Sequence, residues 1–257
     1  MNILNFGSLN IDHVYRLPRF VRPGETAACS DYARFCGGKG LNQSIALARA
    51  GAHVFHAGKV GEDGGMLVAA LEESGVDVRF VKNCQTATGH AVIQVDDAGE
   101  NAIFLYGGAN QTLTGDDVDR VLAHFGPGDL LLTQNETSAV PEIISRAKAK
   151  GLTVAINPAP MGPKVADYPL ADVDLLILNE TEAEGLIGQS VKSGVDAMLL
   201  ALRGRYPAAK ILLTLGSRGA VYADGENVVR AAALAVKAVD TTAAGDTFIG
   251  YFLAALA

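Results

Sequence analysis

Four short runs constrain this chain more than anything else in it: LLLT at 130–133, TVAIN at 153–157, LLILN at 175–179 and ILLTL at 211–215. A strand with one face in water alternates apolar and polar residues. These runs do not alternate, so each needs cover on both faces, which is the situation of a central strand in a parallel sheet flanked by helices. Segments of helical length lie between several of them. The pattern predicts an α/β fold, a three-layer sandwich around a mostly parallel sheet.

The rest of the chain supports that reading. Strands are expected at 2–7, 53–60, 129–133, 152–157, 174–178, 210–215, 219–223 and 232–239. Helices are expected at 40–50, 64–74, 114–125, 139–150, 180–185 and 247–256. The helix at 114–125 opens on a threonine cap, with Asp116 and Asp117 in its first turn, where the helix dipole favours negative charge. Two regions break the rhythm. Residues 14–35 contain Pro18, Pro23 and Gly24, and residues 89–106 read as two strands around an Asp-Asp-Ala-Gly turn. Together, near 13–36 and 88–107, they predict a small antiparallel β lid on a single domain spanning 1–257. The bland alternative is an ordinary edge hairpin.

Composition narrows the function. The 257 residues carry a net charge of −7 and no Lys/Arg run, which argues against a nucleic-acid partner. No apolar stretch approaches the roughly 18 residues of a membrane span, and no signal peptide is expected at the N-terminus. The three cysteines, Cys29, Cys36 and Cys84, lack a C-x-x-C spacing. They read as free thiols in a reducing, cytoplasmic setting.

Five polar stretches fall at predicted strand ends, where ligands bind in open α/β sheets. Asp240-Thr-Thr-Ala-Ala-Gly-Asp246 precedes an apolar helix. Small residues at Ala243, Ala244 and Gly245 leave helix-start N–H groups open to an anion such as phosphate. Asp246 is placed there either as a base for an attacking hydroxyl or simply as an acid on the helix dipole. The second stretch, Gly37-Gly-Lys-Gly-Leu-Asn-Gln43, is a glycine-rich entry into a helix. Gly38 allows close backbone approach, and Lys39 and Asn42 offer donors. It matches neither a Walker A loop nor a dinucleotide fingerprint, so it is a ligand loop or a plain turn. Asn10 and Asp12 suit vicinal hydroxyls or a turn. Asn179-Glu-Thr-Glu182 suits hydrated Mg²⁺ or a helix start. Thr214-Leu-Gly216-Ser217-Arg-Gly219 cradles phosphate or connects strands. Their coincidence at strand ends predicts one polar, phosphate-handling cleft.

With these motifs in view, the chain resembles the ribokinase-like, phosphofructokinase-B type sugar kinases. The resemblance runs from Asn5 to the last residue. It rests on GGKGLNQS from Gly37, with Gly51 and Gly61 beyond it, and on DTTAAGD from Asp240, supported by NPAP, NETEAE, TLGSRG and GGAN. It implies an ATP-dependent kinase acting on a terminal sugar hydroxyl, D-ribose first, with fructose, ketodeoxygluconate, another pentose or non-catalytic sugar binding as alternatives. Asp246 would be the base, and the amides of Ala243, Ala244 and Gly245 the anion hole. Asn10, Asp12, Gly38, Lys39, Asn42 and Glu136 would hold the sugar. Asn179, Thr214, Gly216, Ser217 and Gly219 would line the ATP site. Glu182 would organise Mg²⁺ through water, and Asp240 and Thr242 would bind activating K⁺. The lid would cover the sugar and serve as a homodimer contact. Its hairpin, presenting His90 and Gln94 rather than an apolar base pocket, favours a sugar over a nucleoside. Tyr251 departs from the small residue that the second signature prefers. The resemblance also implies that a C-terminal part of the usual fold, which closes the adenine pocket, is missing.

Overall fold

The computed structural model describes residues 1–188, 194–225, 227–236 and 241–257. It contains a nine-stranded sheet and a separate four-stranded sheet. The large sheet uses β1 (Ile3–Phe6), β4 (Val54–Val60), β5 (Asp77–Asn83), β8 (Leu130–Gln134), β9 (Thr153–Asn157), β10 (Leu175–Asn179), β11 (Lys210–Thr214), β12 (Ala220–Asp224) and β13 (Asn227–Ala231). Their spatial order is β13-β12-β11-β10-β9-β8-β1-β4-β5. Pairing is parallel from β5 through β11 and antiparallel only at the β11-β12-β13 edge.

The apolar runs are covered twice, as their composition requires. On one face Leu4, Leu131, Ile156, Leu176 and Leu213 pack with α3 (Gly115–Leu122), α4 (Val140–Ala149), α5 (Glu180–Ile187) and α6 (Val195–Arg205). On the other, Ile3, Leu132, Ala155, Ile177 and Leu212 pack with α1 (Lys39–Arg49), α2 (Gly65–Glu73) and α7 (Ala244–Leu256). Successive residues of one strand go to opposite layers, the period of two that a pleated strand imposes.

The lid sheet has the order β3-β2-β6-β7, formed by β2 (Asn10–Arg16), β3 (Asp31–Gly37), β6 (Gly89–Val95) and β7 (Asn101–Tyr106). β2-β3 and β6-β7 are the expected antiparallel pairs, and a parallel β2-β6 pairing joins them.

Three expectations need correction. The last strand before α7 is Asn227–Ala231, not 232–239. Residues 232–236 are irregular, and 237–239 lie outside the described residues. Asn10 and Asp12 are not in a turn but on β2 itself, two residues apart and so on one face. Register then places Gly89 and Ala91 beside them on that face. His90 packs instead against His13 and Tyr106 on the opposite face. Gln94 pairs with Tyr15 and shares that opposite face. The pleat therefore removes His90 and Gln94 as arguments about the bound substrate.

From β1 the chain goes to β4 on one side and later to β8 on the other, so the strand order reverses at β1. Such a reversal opens a crevice beyond the carboxyl ends of the strands. The lid rises from that end, because β2 follows β1 after only Gly7, Ser8 and Leu9.

Candidate active site

The centre of the crevice is the meeting of two helix starts. Asp246 lies in the first turn of α7 and is buried, with 7% of its surface exposed. A carboxylate with so little water needs donors, and α1 supplies them. Gln43 Nε2 donates to Asp246 Oδ1 at 2.8 Å, and Asn42 Nδ2 reaches Oδ2 at 3.3 Å. The helices approach closely because Gly250 lies against Ala46; a Cβ at 250 would stand 2.4 Å from the Ala46 Cβ.

α7 begins at Ala243, a non-glycine residue in the left-handed region at φ 56°. That conformation is costly for a residue with a Cβ, and such strain clusters at functional sites. It turns the chain sharply from 241 into the helix. The Ala244 N–H donates back to Thr241 O at 3.2 Å within this turn. Gly245 N–H belongs to the first helical turn, where no intrahelical acceptor exists.

On the lid side, Asn10 and Asp12 face the crevice entrance. Asn10 Oδ1 accepts from Asn110 Nδ2 at 2.8 Å, and Asn110 is itself pinned to the backbone of Leu9. The Asp12 carboxylate stands so close over Gly37 that a Cβ there would come within 2.2 Å of Oδ2. Burial, reinforced by the neighbouring Glu136 charge, pushes Asp12 up to about 6. Glu136 ties the loop after β8 to the glycine-rich entry: its Oε2 accepts from Ser8 Oγ and from the Lys39 N–H at 2.9 Å. Gly38 at φ 95° makes that entry, where a Cβ would stand 3.0 Å from Ser8 O and 3.1 Å from Asn10 N.

Beyond Asp246, away from the lid, lies a cavity of about 150 Å³. Lys39, Asn179, Glu182, Thr214, the 243–245 turn and Asp246 line it. Lys39 thus bridges the two sides: its N–H meets Glu136, while it shares the cavity wall with Asn179, Glu182 and Thr214 and its charge acts on Glu182. Asn179 and Glu182 form a capping box for α5: Asn179 Oδ1 accepts from Glu182 N at 2.8 Å, and Glu182 Oε2 from Asn179 N at 3.0 Å. Asn157 Nδ2 also donates to Glu182 Oε2 at 3.2 Å, while burial pushes the Glu182 carboxyl above its ordinary value. Thr214 Oγ1 donates to Leu178 O at 3.3 Å. Residues 216–218 form a single 3-10 turn, with Gly216 and Gly219 at positive φ. Gly216 and Ser217 are exposed and are not part of the cavity wall.

The crevice therefore brings together Asn10, Asp12, Gly38, Lys39, Asn42, Glu136 and Asp246, and beside them Asn179, Glu182 and Thr214. Asp240 lies outside the described residues, so the structure does not place the expected Asp240–Thr242 cation site. Three polar residues went unselected in the sequence: Gln43, Asn110 and Asn157. Each is buried and tied to a selected residue. Gln43 lay within the glycine-rich motif, and Asn110 and Asn157 lay within the GGAN and NPAP stretches. Amide side chains on otherwise buried faces were the available signal.

A buried carboxylate at a helix start, a strained turn beside it and a small sheet near polar side chains suit the transfer of a charged group to a hydroxyl. The family model of the pfkB family carbohydrate kinases matches residues 2–257, and the chain belongs to that family. It is 36% identical to the ribokinase of Staphylococcus aureus strain COL over 99% of this chain and 86% of that protein. A structure of Cryptococcus neoformans ribokinase in complex with ADP superposes with a TM-score of 0.86 at 35% identity, covering 99% of this chain and 87% of that one. An Arabidopsis thaliana ribokinase complexed with ribose and ATP gives a TM-score of 0.88 at 28% identity, covering 99% and 85%.

Proposed function

We propose that this chain transfers the γ-phosphate of ATP to the terminal hydroxyl of D-ribose, giving D-ribose 5-phosphate and ADP. The observation that carries the reading is Asp246. It is a buried carboxylate held by two side-chain donors at the junction between the lid side of the crevice and the amide-lined cavity. The likeness to ribokinases over nearly the whole chain, one of them complexed with ribose and ATP, supports the substrate pair.

In this mechanism Asn10, Asp12, Gly38, Lys39, Asn42 and Glu136 orient the sugar, its terminal hydroxyl toward Asp246. Asp246 accepts the hydroxyl proton as the oxygen attacks phosphorus. The amides of Ala243 and Gly245, joined by that of Ala244 once it turns from Thr241 O, stabilise charge on the transferring phosphoryl group together with the positive end of the α7 dipole. Asn179, Thr214, Gly216, Ser217 and Gly219 bind the nucleotide. The lid closes over the sugar and excludes water, which would otherwise take the phosphoryl group.

Among the described residues, no cluster of three or more His, Cys, Asp or Glu is arranged to hold a metal directly. Both Glu182 oxygens already accept hydrogen bonds from Asn179 or Asn157. That donor set fits Mg²⁺ bound through water, the ion's usual habit beside phosphates. Mg²⁺ would supply charge neutralisation at the phosphates. The oxygen donors of Asp240 and Thr242 suit an activating K⁺ that steadies the anion-hole turn.

The protein acts in the cytoplasm, where ATP is available. No described helix is long and apolar enough to cross a membrane. It pairs with a second copy through the lid, where Phe35, Ile103, Phe104 and Leu105 are all exposed.

The test is Asp246→Asn, which keeps shape and removes the base. Turnover is expected to fall about 10²–10⁴-fold while calorimetry still detects ribose binding. Near-normal turnover refutes the role of Asp246.

A further inference from the structure

The base does not stand alone: a chain of buried amides runs behind it across the sheet, and its direction is fixed at both ends by backbone carbonyls. A carbonyl oxygen can only accept, so whichever amide nitrogen faces one is identified as the donor. Asn5 Nδ2 donates to Gly40 O at 2.9 Å. Asn5 Oδ1 is thereby the acceptor, and Gln134 Nε2 donates to it at 2.9 Å. The same Gln134 nitrogen donates to Gln43 Oε1 at 2.7 Å. Gln43 must then turn its own nitrogen toward Asp246 Oδ1, at 2.8 Å.

A second line reaches the same atom. Asn157 Nδ2 donates to Ile177 O at 3.0 Å, leaving Asn157 Oδ1 as an acceptor, and Gln43 Nε2 lies 3.3 Å from it. Two independent anchors on two strands therefore agree that Gln43 presents N–H, never C=O, to the carboxylate.

This arrangement has a visible cost. The other Gln134 atom, Oε1, is fully buried and has no hydrogen-bond partner. An orphaned buried acceptor is uncommon and destabilising. Turning the Gln134 amide over would place its oxygen against Asn5 Oδ1 and Gln43 Oε1, acceptor against acceptor. The orphan is thus what remains once both nitrogen contacts are made.

We infer that Gln43 is the positioning residue of the base, and that Gln134 sets its polarity. Gln43 occupies Oδ1 of Asp246, so the carboxylate is fixed in rotation and its Oδ2, which Asn42 reaches only at 3.3 Å, is the oxygen offered to the substrate hydroxyl. The inference rests on Asp246 acting as the base.

The experiment compares Gln43→Met, Gln134→Met and Gln134→Glu with wild type and Asp246→Asn, with rates normalised to folded protein. Gln43→Met keeps length and removes the donor; kcat is expected to fall about 10²-fold, the effect of a misplaced reacting group, while the KM for ribose stays within about three-fold, because Asn10, Asp12, Asn42 and Glu136 still bind the sugar. Gln134→Met removes one of the two anchors of the Gln43 amide and leaves the Asn157 contact. Gln134→Glu puts an acceptor where two donations originate and holds the Gln43 amide reversed, with its oxygen toward Asp246. Gln134→Glu is therefore expected to lose more kcat than Gln134→Met. A purely packing role predicts the opposite order or equal losses, with KM moving alongside kcat.

If Gln43→Met keeps kcat, or the two Gln134 variants are equal, the inference is wrong even though Asp246→Asn is dead. If Asp246→Asn itself turns over normally, the assignment of the base fails first. Should Gln43→Met not fold, the ordering of the two Gln134 variants decides alone.

Discussion

The spacing between α1 and α7 sets where Asp246 stands against its donors, and Gly250→Ala tests that dependence. A Cβ at position 250 would meet the Ala46 Cβ at 2.4 Å and Leu47 N at 2.7 Å. Carbon atoms in contact rest about 3.5–4.0 Å apart, so the helices must part by about 1.1–1.6 Å at this point. Asp246 lies one turn before Gly250 on the same rigid helix, while its two donors, Gln43 and Asn42, belong to α1. The movement stretches the 2.8 Å and 3.3 Å bonds toward or beyond the limit of hydrogen bonding. A misplacement of about 1 Å costs about 10²-fold in rate. Stability responds differently. Overpacking costs about 1–3 kcal/mol, and exchanging glycine for alanine within a helix returns about 1 kcal/mol. The variant is therefore expected to remain folded, with kcat down about 10²-fold. The assay is steady-state ADP release at saturating ribose and ATP, with circular dichroism to establish the folded fraction. Adding Ala46→Gly removes the nearest contact and should restore part of the rate. A Gly250→Ala enzyme within about two-fold of wild type, well inside the effect expected of a misplaced base, would refute the argument that this helix contact places the base.

Two further outcomes follow from the site's electrostatics and caps. Asp12, raised from 3.8 to about 6, binds its proton more tightly in the folded chain than in the unfolded one. Its contribution to stability is fully present below about pH 4 and is lost as pH rises through about 6. Asp12→Asn should therefore gain stability relative to wild type between pH 5 and pH 8 in urea titrations; an unchanged difference would contradict the raised value. Asn179→Ala removes the cap of α5 and the partner of Glu182. It should lose about 1 kcal/mol of stability and weaken ADP binding measured by calorimetry. Unaltered ADP affinity would remove Asn179 from the nucleotide site.

Much of the architecture was legible because its physics is local. The runs at β8 to β11 announce two-sided burial by composition alone, and Thr114 with Asp117 announces a capped helix that the structure contains as a full capping box. What was hidden depends on partners far along the chain. β13 is short and exposed throughout, Val228 and Val229 included, so burial does not mark it, whereas the apolar stretch 232–236 that follows it is irregular. β2 and β6 pair in parallel across nearly eighty residues of sequence, and only that register reveals which lid residues share a face with Asp12. The glycine-rich and Asp246 motifs were readable as helix starts, but not their contact. Gln43 and Asp246 meet over a separation of 203 residues. A glutamine on the buried face of α1 looks, in sequence, like an imperfection in an amphipathic pattern. Gly250 likewise looks like a weakness in α7 until Ala46 is found against it.

The most direct measurement is ATP-to-ADP turnover with Mg²⁺ and K⁺ against a panel of D-ribose, 2-deoxyribose, fructose, ketodeoxygluconate and other pentoses, with the phosphorylated product located by NMR. Ribose-dependent ADP formation, phosphate on the terminal oxygen, and loss of that activity in Asp246→Asn are expected. Turnover of another sugar with none of ribose, or ribose turnover that survives Asp246→Asn, would contradict the proposed function.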